Sequence, residues 1–275
     1  MVSATHHGTL PNEASSKNEA ECSIETCDIF DFMAEHVGLT VLHPGGFEAT
    51  QELANACHIG AQIRVLDNAC GKGTSAVYLA QKYGCQVVGI DIADHLIAQA
   101  KDLAKRKGME RLVSFRVADA LDLPFSDGEF DVAVSQAMLV LVSDKKKAIQ
   151  ESLRVVKAGG RIGSVELSWK QPPTPEFLKA VSDVICAKCM LNVQIFEEWE
   201  KLFSEAGASQ LETIKHSMKF DGMTGMTANE GLANTIRVML RYLTNSRIRK
   251  RMDTMDRFFK AHTQYFGYGI YVGTK

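Results

Sequence analysis

Residues 67–73 read Asp67-Asn68-Ala69-Cys70-Gly71-Lys72-Gly73, and this stretch decides the fold. It follows the apolar run Ile63-Arg64-Val65-Leu66 and precedes a helical pattern that starts at Thr74. An acidic residue therefore stands at the end of a predicted strand, beside a small-residue turn that opens a helix. In doubly wound α/β sheets, this junction is where a nucleoside cofactor binds.

Two classes of cofactor fit this turn. The spacing Gly71-x-Gly73-x-x-Ala76 matches a dinucleotide-binding loop, in which backbone N–H groups and a helix N-terminus hold a pyrophosphate. Asp67 argues against that cofactor, because its carboxylate would repel phosphate in a poorly hydrated cleft. The same carboxylate would attract a cation, such as the amino group of S-adenosylmethionine (SAM).

Two further predicted strands end in acids at the same edge of the sheet. Residues 86–91 form a buried strand that ends in Asp91, where a carboxylate can accept both ribose hydroxyls of either cofactor. Residues 112–118 form the next strand, which is followed by Asp119 and Ala120. A dinucleotide fold does not need an acid at this third position.

The last two features lie around the fourth and fifth strands. Residues 123–131 read LPFSDGEFD and lead into an apolar strand at 132–136. Gly159 and Gly160 are expected to end a helix before the fifth strand, at residues 162–167.

Together these motifs resemble those of the class I SAM-dependent methyltransferases, and most of all the small-molecule enzymes of the ubiquinone/menaquinone-type group. The resemblance is specific over residues 60–170 and looser over residues 40–220. Ala69 stands where most members carry glycine. This departure is mild, because a methyl group still leaves the backbone close to the ligand.

The resemblance implies transfer of a methyl group from SAM to a small-molecule acceptor with an S, N, O or C nucleophile, releasing S-adenosylhomocysteine. It also implies a set of cofactor contacts: Asp67 with the amino group of the methionine part, the turn residues Ala69, Gly71 and Gly73 around that part, Asp91 with the ribose hydroxyls, Ile92 on the adenine, Asp119 with its exocyclic amine, Ala120 N–H with its ring nitrogen, and Gln136 as a further contact.

The acceptor side is less determined by the sequence. Four residues are expected to line the pocket: His43, Gln136, Met138 and Glu166. Structural roles are open for three of them: His43 can cap a helix, Met138 can belong to the core, and Glu166 can form an ion pair. No catalytic residue is assigned, because a base is required only for an alcohol or a protonated amine.

The order of elements predicts an α/β, doubly wound, Rossmann-like sheet of seven strands, mostly parallel with an antiparallel last strand. Strands six and seven are expected at 208–218 and 267–273. Between them lies a helical insertion (residues 221–262), in which Ile236, Met239, Leu240 and Leu243 recur at helical spacing. Such an insertion is expected to cover the substrate.

The expected organisation is a disordered tail (residues 1–25) followed by a single catalytic domain (residues 26–275). The domain begins with a helical segment at residues 26–60, here called the N-terminal cover, which is expected to fold over the cofactor pocket. With a net charge of −2 and no apolar run long enough to cross a membrane, the chain is expected to be cytoplasmic, and a homodimer is a candidate assembly.

The insertion contains eight basic residues that allow a second interpretation, an RNA methyltransferase: Arg237, Arg241, Arg247, Arg249, Lys250, Arg251, Arg257 and Lys260. A solvated helix face is favoured over a nucleic-acid surface, because no aromatic stacking pattern accompanies the charges. A nicotinamide-dependent oxidoreductase and a non-catalytic SAM-binding protein also remain as alternatives.

The seven cysteines fit a reducing compartment. Cys186 and Cys189 form a C-x-x-C within a helical pattern, and Cys22 and Cys27 could complete a zinc site with them, but no further ligand pair is present. No metal is therefore predicted. Thiols that bind arsenite or selenite as a soft substrate are a further alternative.

Overall fold

The computed structural model describes residues 28–185, 190, 192–218 and 222–275. The tail at residues 1–25, the four cysteines at 22, 27, 186 and 189, and the first residue of the insertion, at 221, lie outside the described residues. The following description concerns the described part of the chain.

The core of the fold is one sheet. Its strands are β1 (Arg64–Asn68), β2 (Gln86–Asp91), β3 (Val113–Val117), β4 (Phe130–Gln136), β5 (Val156–Trp169), β6 (Gln194–Ile195), β7 (Ser209–Ser217) and β8 (Phe266–Thr274). The order across the sheet is β3-β2-β1-β4-β5-β8-β7, with β6 paired to β5. Strands β1 to β5 are parallel, and β8 runs antiparallel to both β5 and β7.

The predicted architecture is confirmed, with one addition. The seven predicted strands are present, the last is antiparallel, and the helical insertion lies between the final two strands. The two-residue strand β6 pairs with Ser168 and Trp169 of β5 and was not expected. A strand of this length has no alternating pattern that a sequence could display.

In the described part of the chain, nine α-helices surround the sheet: α1 (Ile29–Asp31), α2 (Gly46–Ala56), α3 (Thr74–Tyr83), α4 (Asp94–Arg106), α5 (Lys145–Val155), α6 (Pro175–Ile185), α7 (Phe196–Glu205), α8 (Gly222–Thr244) and α9 (Ser246–Ala261). One buried apolar cluster joins α2, α3 and α4 to one face of the sheet. A second joins α5, α6, α7 and α9 to the other face. This is the two-sided covering that a mostly parallel sheet requires.

The helical start of the N-terminal cover continues beyond α1 as a π-helix (Phe32–Val37). One local expectation needs correction. Helix α5 ends at Val155, so Gly159 and Gly160 do not end it. Instead, Val156 already pairs with Phe130, and the next pair joins Val132 to Arg161.

The two glycines therefore lie in β5, at the point where its pairing with β4 shifts register. Gly159 has a φ of +74°, and a side chain on Gly160 would meet the carbonyl oxygen of Asp131 at 2.6 Å. Between Val156 and Arg161, the backbone of β5 leaves its hydrogen-bonded pairing with β4 and then resumes it. Glycine permits the positive φ at position 159 and the close approach of the backbone at position 160.

Candidate active site

A cavity of about 750 Å³ lies at the carboxyl ends of β1 to β4. Its floor and sides come from the segments that follow these strands, within residues 67–75, 90–96, 118–121 and 136–143. The N-terminal cover closes the cavity from above with side chains between residues 30 and 43. Polar groups at this edge of an open α/β sheet are positioned for a ligand.

The turn after β1 has a left-handed backbone at three positions. Ala69, Gly71 and Gly73 have φ values of +57°, +53° and +76°. A side chain on Gly73 would meet the Phe115 ring at 2.6 Å, so this position requires glycine for two reasons. Ala69 adopts the left-handed conformation at a cost of about 1 kcal/mol, so its departure from the family glycine is a matter of backbone strain as well as ligand clearance.

Asp91, at the end of β2, holds this turn in place. One carboxylate oxygen (Oδ2) accepts a hydrogen bond from Gly71 N–H at 2.9 Å, and the other (Oδ1) accepts one from Ala93 N–H at 3.0 Å. The side chain also lines the cavity. Each oxygen retains a second lone pair, so the carboxylate can accept further donors from a ligand.

Asp67, in β1, is the unusual group of the cavity. Its side chain is buried, and Oδ2 has no hydrogen-bond partner. Burial, together with the negative charge of Asp91, raises the pKa of Asp67 to about 7. A buried carboxylate oxygen without a donor is costly, and a cationic donor in the cavity would remove that cost.

The far end of the cavity brings together three more of the predicted residues. Ile92 is 72% exposed and lines the cavity, as does Ala120. Asp119 lines the same end, and its Oδ1 accepts a hydrogen bond from Leu121 N–H at 2.8 Å. An apolar side chain beside a carboxylate and a backbone segment can hold a flat ring that carries an amine.

His43 and Gln136 meet on the opposite side. His43 Nδ1 lies 3.3 Å from the carbonyl oxygen of Pro44, while Nε2 lies 3.2 Å from Thr50 Oγ1 and 3.4 Å from Ser75 Oγ. Thr50 Oγ1 donates to Gln136 Oε1 at 2.7 Å. The other polar atom of this side chain, Gln136 Nε2, is buried and has no hydrogen-bond partner. If Nδ1–H donates to Pro44, Nε2 carries the free lone pair.

Burial of the imidazole lowers the pKa of His43 to about 4. The ring is therefore neutral at physiological pH. Met138 lines the cavity next to this group, as expected.

Two predicted residues do not line the cavity, Gly73 and Glu166. Glu166 is fully buried in β5, where Oε1 accepts hydrogen bonds from Leu139 N–H at 3.0 Å and Ser164 Oγ at 2.8 Å. It therefore supports the loop after β4 from beneath. Burial raises the pKa of Glu166 to about 7.

Several cavity residues were missed by the sequence analysis. Thr74 Oγ1 is buried without a partner at the start of α3, and Ser75 faces His43. Lys72 reaches the N-terminal cover, with Nζ 3.3 Å from both the Ala34 carbonyl oxygen and Glu35 Oε1. The two hydroxyl residues follow directly after the glycine turn, and that position was the only available signal.

Comparison with known proteins agrees with this geometry. The model of a family described as "Methyltransferase domain" matches residues 66–163. An uncharacterized protein of Haemophilus influenzae is 29% identical over 237 residues, covering 84% of this chain and 90% of its relative. The O-methyltransferase resE of Aspergillus sclerotiorum is 31% identical over 192 residues, covering 66% of this chain and 72% of the relative.

The chain belongs to the class I SAM-dependent methyltransferases. A crystal structure of a SAM-dependent methyltransferase from Geobacter sulfurreducens shares the fold of this methyltransferase, with a TM-score of 0.65 and 23% identity. The match covers 89% of this chain and 96% of the other. Membership in this family agrees with the resemblance of the motifs. It sets aside the alternative of a nicotinamide-dependent oxidoreductase.

The cavity of this methyltransferase has the groups that its methyl donor requires. The unpartnered Oδ2 of Asp67 suits an ammonium group, and α3 begins without a side-chain cap, which leaves its first N–H groups open to a carboxylate. The cofactor is SAM.

The helical insertion of this methyltransferase does not cover the cavity, contrary to expectation. In the described part of the chain, no residue of α8 or α9 lines the cavity. Helix α8 instead contacts the N-terminal cover. Glu230 accepts hydrogen bonds from Thr40 N–H, Thr40 Oγ1 and Val41 N–H. Asn229 accepts one from Phe47 N–H.

The basic residues of the insertion have mostly local roles. Arg241 donates to carbonyl oxygens at the end of the π-helix, and Arg251 is buried over the Phe32 ring. Lys260 pairs with Asp256 at 2.8 Å. These contacts do not favour an RNA-binding surface. In the described part of the chain, no helix has the length and apolar character of a membrane span.

Proposed function

We propose that this methyltransferase binds SAM with the methionine part at Asp67 and transfers its methyl group to a small molecule held beside His43 and Gln136. The observation that carries the proposal is the buried, unpartnered carboxylate oxygen of Asp67. A cationic amino group is the partner that would satisfy both its hydrogen bond and its charge.

The remaining cofactor contacts follow the cavity from β1 to β3. Asp91 accepts the ribose hydroxyls, and the same carboxylate keeps Gly71 in position. Ile92 packs on the adenine, Asp119 accepts its exocyclic amine, and Ala120 N–H donates to its ring. SAM supplies an activated, electrophilic methyl group, so the protein mainly has to align the acceptor and exclude water.

The acceptor lies, in this proposal, where the cavity is largely apolar. Phe30, Leu39, Leu42, Leu141 and Val142 are apolar lining residues of the cavity, and its polar lining includes His43, Gln136, Asp31, Glu35, Thr40 and Ser143. A lining of this mixed kind suits a small organic molecule with a hydrogen-bonding nucleophile. If that nucleophile is a hydroxyl, neutral His43 accepts its proton through Nε2.

Isothermal titration calorimetry tests the cofactor assignment. Asp91→Ala should weaken SAM binding by about tenfold or more, because charge-assisted hydrogen bonds of about 1.5–3 kcal/mol are lost. Asp102→Ala, on the exposed side of α4, is the matched control and should bind as the wild type does. Unchanged affinity in Asp91→Ala would contradict the ribose assignment, and retention of NADH without any SAM binding would contradict the cofactor.

The acceptor can be identified by incubating the protein with labelled SAM and a fractionated cell extract, followed by mass spectrometry of the labelled product. We expect the label in a small organic molecule. Label confined to RNA would contradict the small-molecule proposal, and SAM binding without any labelled product would favour a non-catalytic protein.

A further inference from the structure

Helix α8 presents an apolar face to solvent. Its large side chains are Leu232 (69% exposed), Ile236 (48%), Met239 (36%), Leu240 (56%) and Leu243 (57%), and together they are here called the apolar stripe. At 100° per residue they occupy an arc of about 100° and a length of about 17 Å.

The apolar stripe is separate from the cavity. Across the described residues, eight large hydrophobic side chains are exposed, and five of them belong to the stripe. Of the other three, Ile92 and Leu141 line the cavity, while Val117 lies at the end of β3. Among the described residues, the stripe thus holds five of the six exposed large hydrophobic side chains that lie outside the cavity.

Helix α8 directs its larger apolar face toward solvent, whereas an ordinary surface helix directs that face toward the core. Its buried side holds Thr235 and Val238, while the leucines face outward. A contiguous apolar face of this kind on a folded chain marks a contact surface. Helix α8 has a break at Gly231, with φ of +71° and ψ of +164°, and the apolar stripe lies after it. Asn234 and Arg241, also after the break, donate to carbonyl oxygens of the N-terminal cover and fix the orientation of this part of the helix.

The charge around the stripe indicates what covers it. The insertion has eight basic and four acidic residues, a net charge of +4, in a chain whose total is −2. Arg241 and Arg251 contact the N-terminal cover, which leaves six basic residues outside that contact. Arg237 lies exposed beside the stripe, and Arg249 donates to the carbonyl oxygen of Leu243 at its end. A second copy placed on the same face would bring these positive charges together, whereas an anionic surface would be attracted to them.

We propose that the apolar stripe docks on a bilayer that contains anionic phospholipid, with α8 lying in the plane of the interface. An apolar face flanked by arginine and lysine is the pattern of an interfacial helix. Glu230 joins α8 to Thr40, which lines the cavity, so docking would bring the N-terminal cover next to the bilayer. The proposal does not depend on the identity of the acceptor.

Vesicle flotation of the full chain tests this proposal. Binding to vesicles with equal parts of phosphatidylcholine and phosphatidylglycerol should exceed binding to pure phosphatidylcholine by about tenfold or more at low ionic strength. Ile236→Ser with Leu240→Ser should lower binding by about tenfold or more, and so should Arg237→Glu, which reverses the exposed charge beside the stripe. Leu232→Ser with Leu243→Ser is an independent pair on the same face.

The matched controls are Val117→Ser for lost apolar surface and Lys105→Glu for reversed charge, and both should bind vesicles as the wild type does. SAM binding by calorimetry checks that every variant is folded. Absence of binding to anionic vesicles would overturn the proposal, as would unchanged binding in both serine pairs. Sedimentation velocity that finds a dimer, reduced to a monomer by the serine pairs, would assign the stripe to a second copy instead.

Discussion

At the scale of single residues, the proposed binding of SAM depends most on Asp67. Its Oδ2 has no donor, and its pKa stands at about 7 because burial and the charge of Asp91 both disfavour the anion. In the ligand-free protein the group is therefore partly protonated at neutral pH. An ammonium group placed against it favours the anion and lowers its pKa again.

This linkage predicts that SAM binding releases protons near pH 7. Below pH 7, Asp67 must lose a proton before it can pair with the ammonium, so affinity should rise from pH 6 to pH 8 and level off above. Calorimetry in phosphate and in Tris, buffers with different ionisation enthalpies, measures the released protons. Asp67→Asn should abolish the buffer dependence and weaken binding by about tenfold or more. Equal heats in both buffers for the wild type would contradict the role of Asp67.

His43 predicts a second pH effect, this time on folding. Its pKa is lowered to about 4 in the folded protein by burial and has the ordinary value of 6.5 in the unfolded chain. Between these values the unfolded chain binds the extra proton, so stability is complete above pH 6.5 and falls as the pH approaches 4. From pH 7 to pH 5, the free energy of unfolding attributable to His43 should drop by about 1–2 kcal/mol.

Urea denaturation at the two pH values measures this drop. His43→Asn should lose less stability on acidification than the wild type, while His58→Asn, at an exposed position, should lose as much as the wild type. An identical loss in His43→Asn would mean that other groups carry the acid sensitivity.

At the scale of elements, the sequence predicted the parts that follow one another along the chain. Strands β1 to β5 were predicted from short apolar runs, and Asp67, Asp91 and Asp119 all line the cavity, as their positions at strand ends indicated. Gln136 follows the same rule at the end of β4, whereas His43 was predicted only as a residue of the N-terminal loop. These features depend on local pattern and on the rule that parallel strands end at one edge.

Contacts between distant segments could not be predicted in the same way. Glu230 and Thr40 are 190 residues apart, and no periodicity links a glutamate in one helix to the backbone of a loop in another. The bulge at Gly159 and Gly160 was misread for a related reason: glycine permits both a helix end and a bulge, and only the pairing of Val156 with Phe130 decides between them.

Helix α8 is predicted to keep the N-terminal cover in place through Glu230. Glu230→Ala removes the acceptor for two backbone N–H groups and one hydroxyl. Amide hydrogen exchange in residues 38–42 should then become faster by about tenfold or more, since each lost bond is worth about 1 kcal/mol. Asp256→Ala, in α9 of the same insertion, is the control and should leave exchange in this segment unchanged. Slow exchange in both variants would contradict the prediction that Glu230 keeps the N-terminal cover in place.

At the scale of the whole molecule, the insertion shares its core with the sheet. Val238 of α8 and Ile248, Met255 and Phe258 of α9 belong to the same buried cluster as residues of β5 and β8. The Phe258 ring stacks on Phe177 of α6 at 6.0 Å between centroids. A segment whose buried side chains contact the rest of the protein in this way has no core of its own.

We therefore predict that the insertion and the sheet unfold together in urea. Trp169 and Trp199, buried against the sheet, report on its unfolding by fluorescence, while trypsin cleavage at the exposed arginines and lysines of α9 reports on the insertion. The two transitions should share one midpoint. Saturation with SAM at about one hundred times its dissociation constant should stabilise both by about 2.7 kcal/mol. If trypsin cleaves α9 at a lower urea concentration than the fluorescence changes, the prediction is wrong. The insertion would then unfold as a separate unit while the sheet and its cavity stay folded.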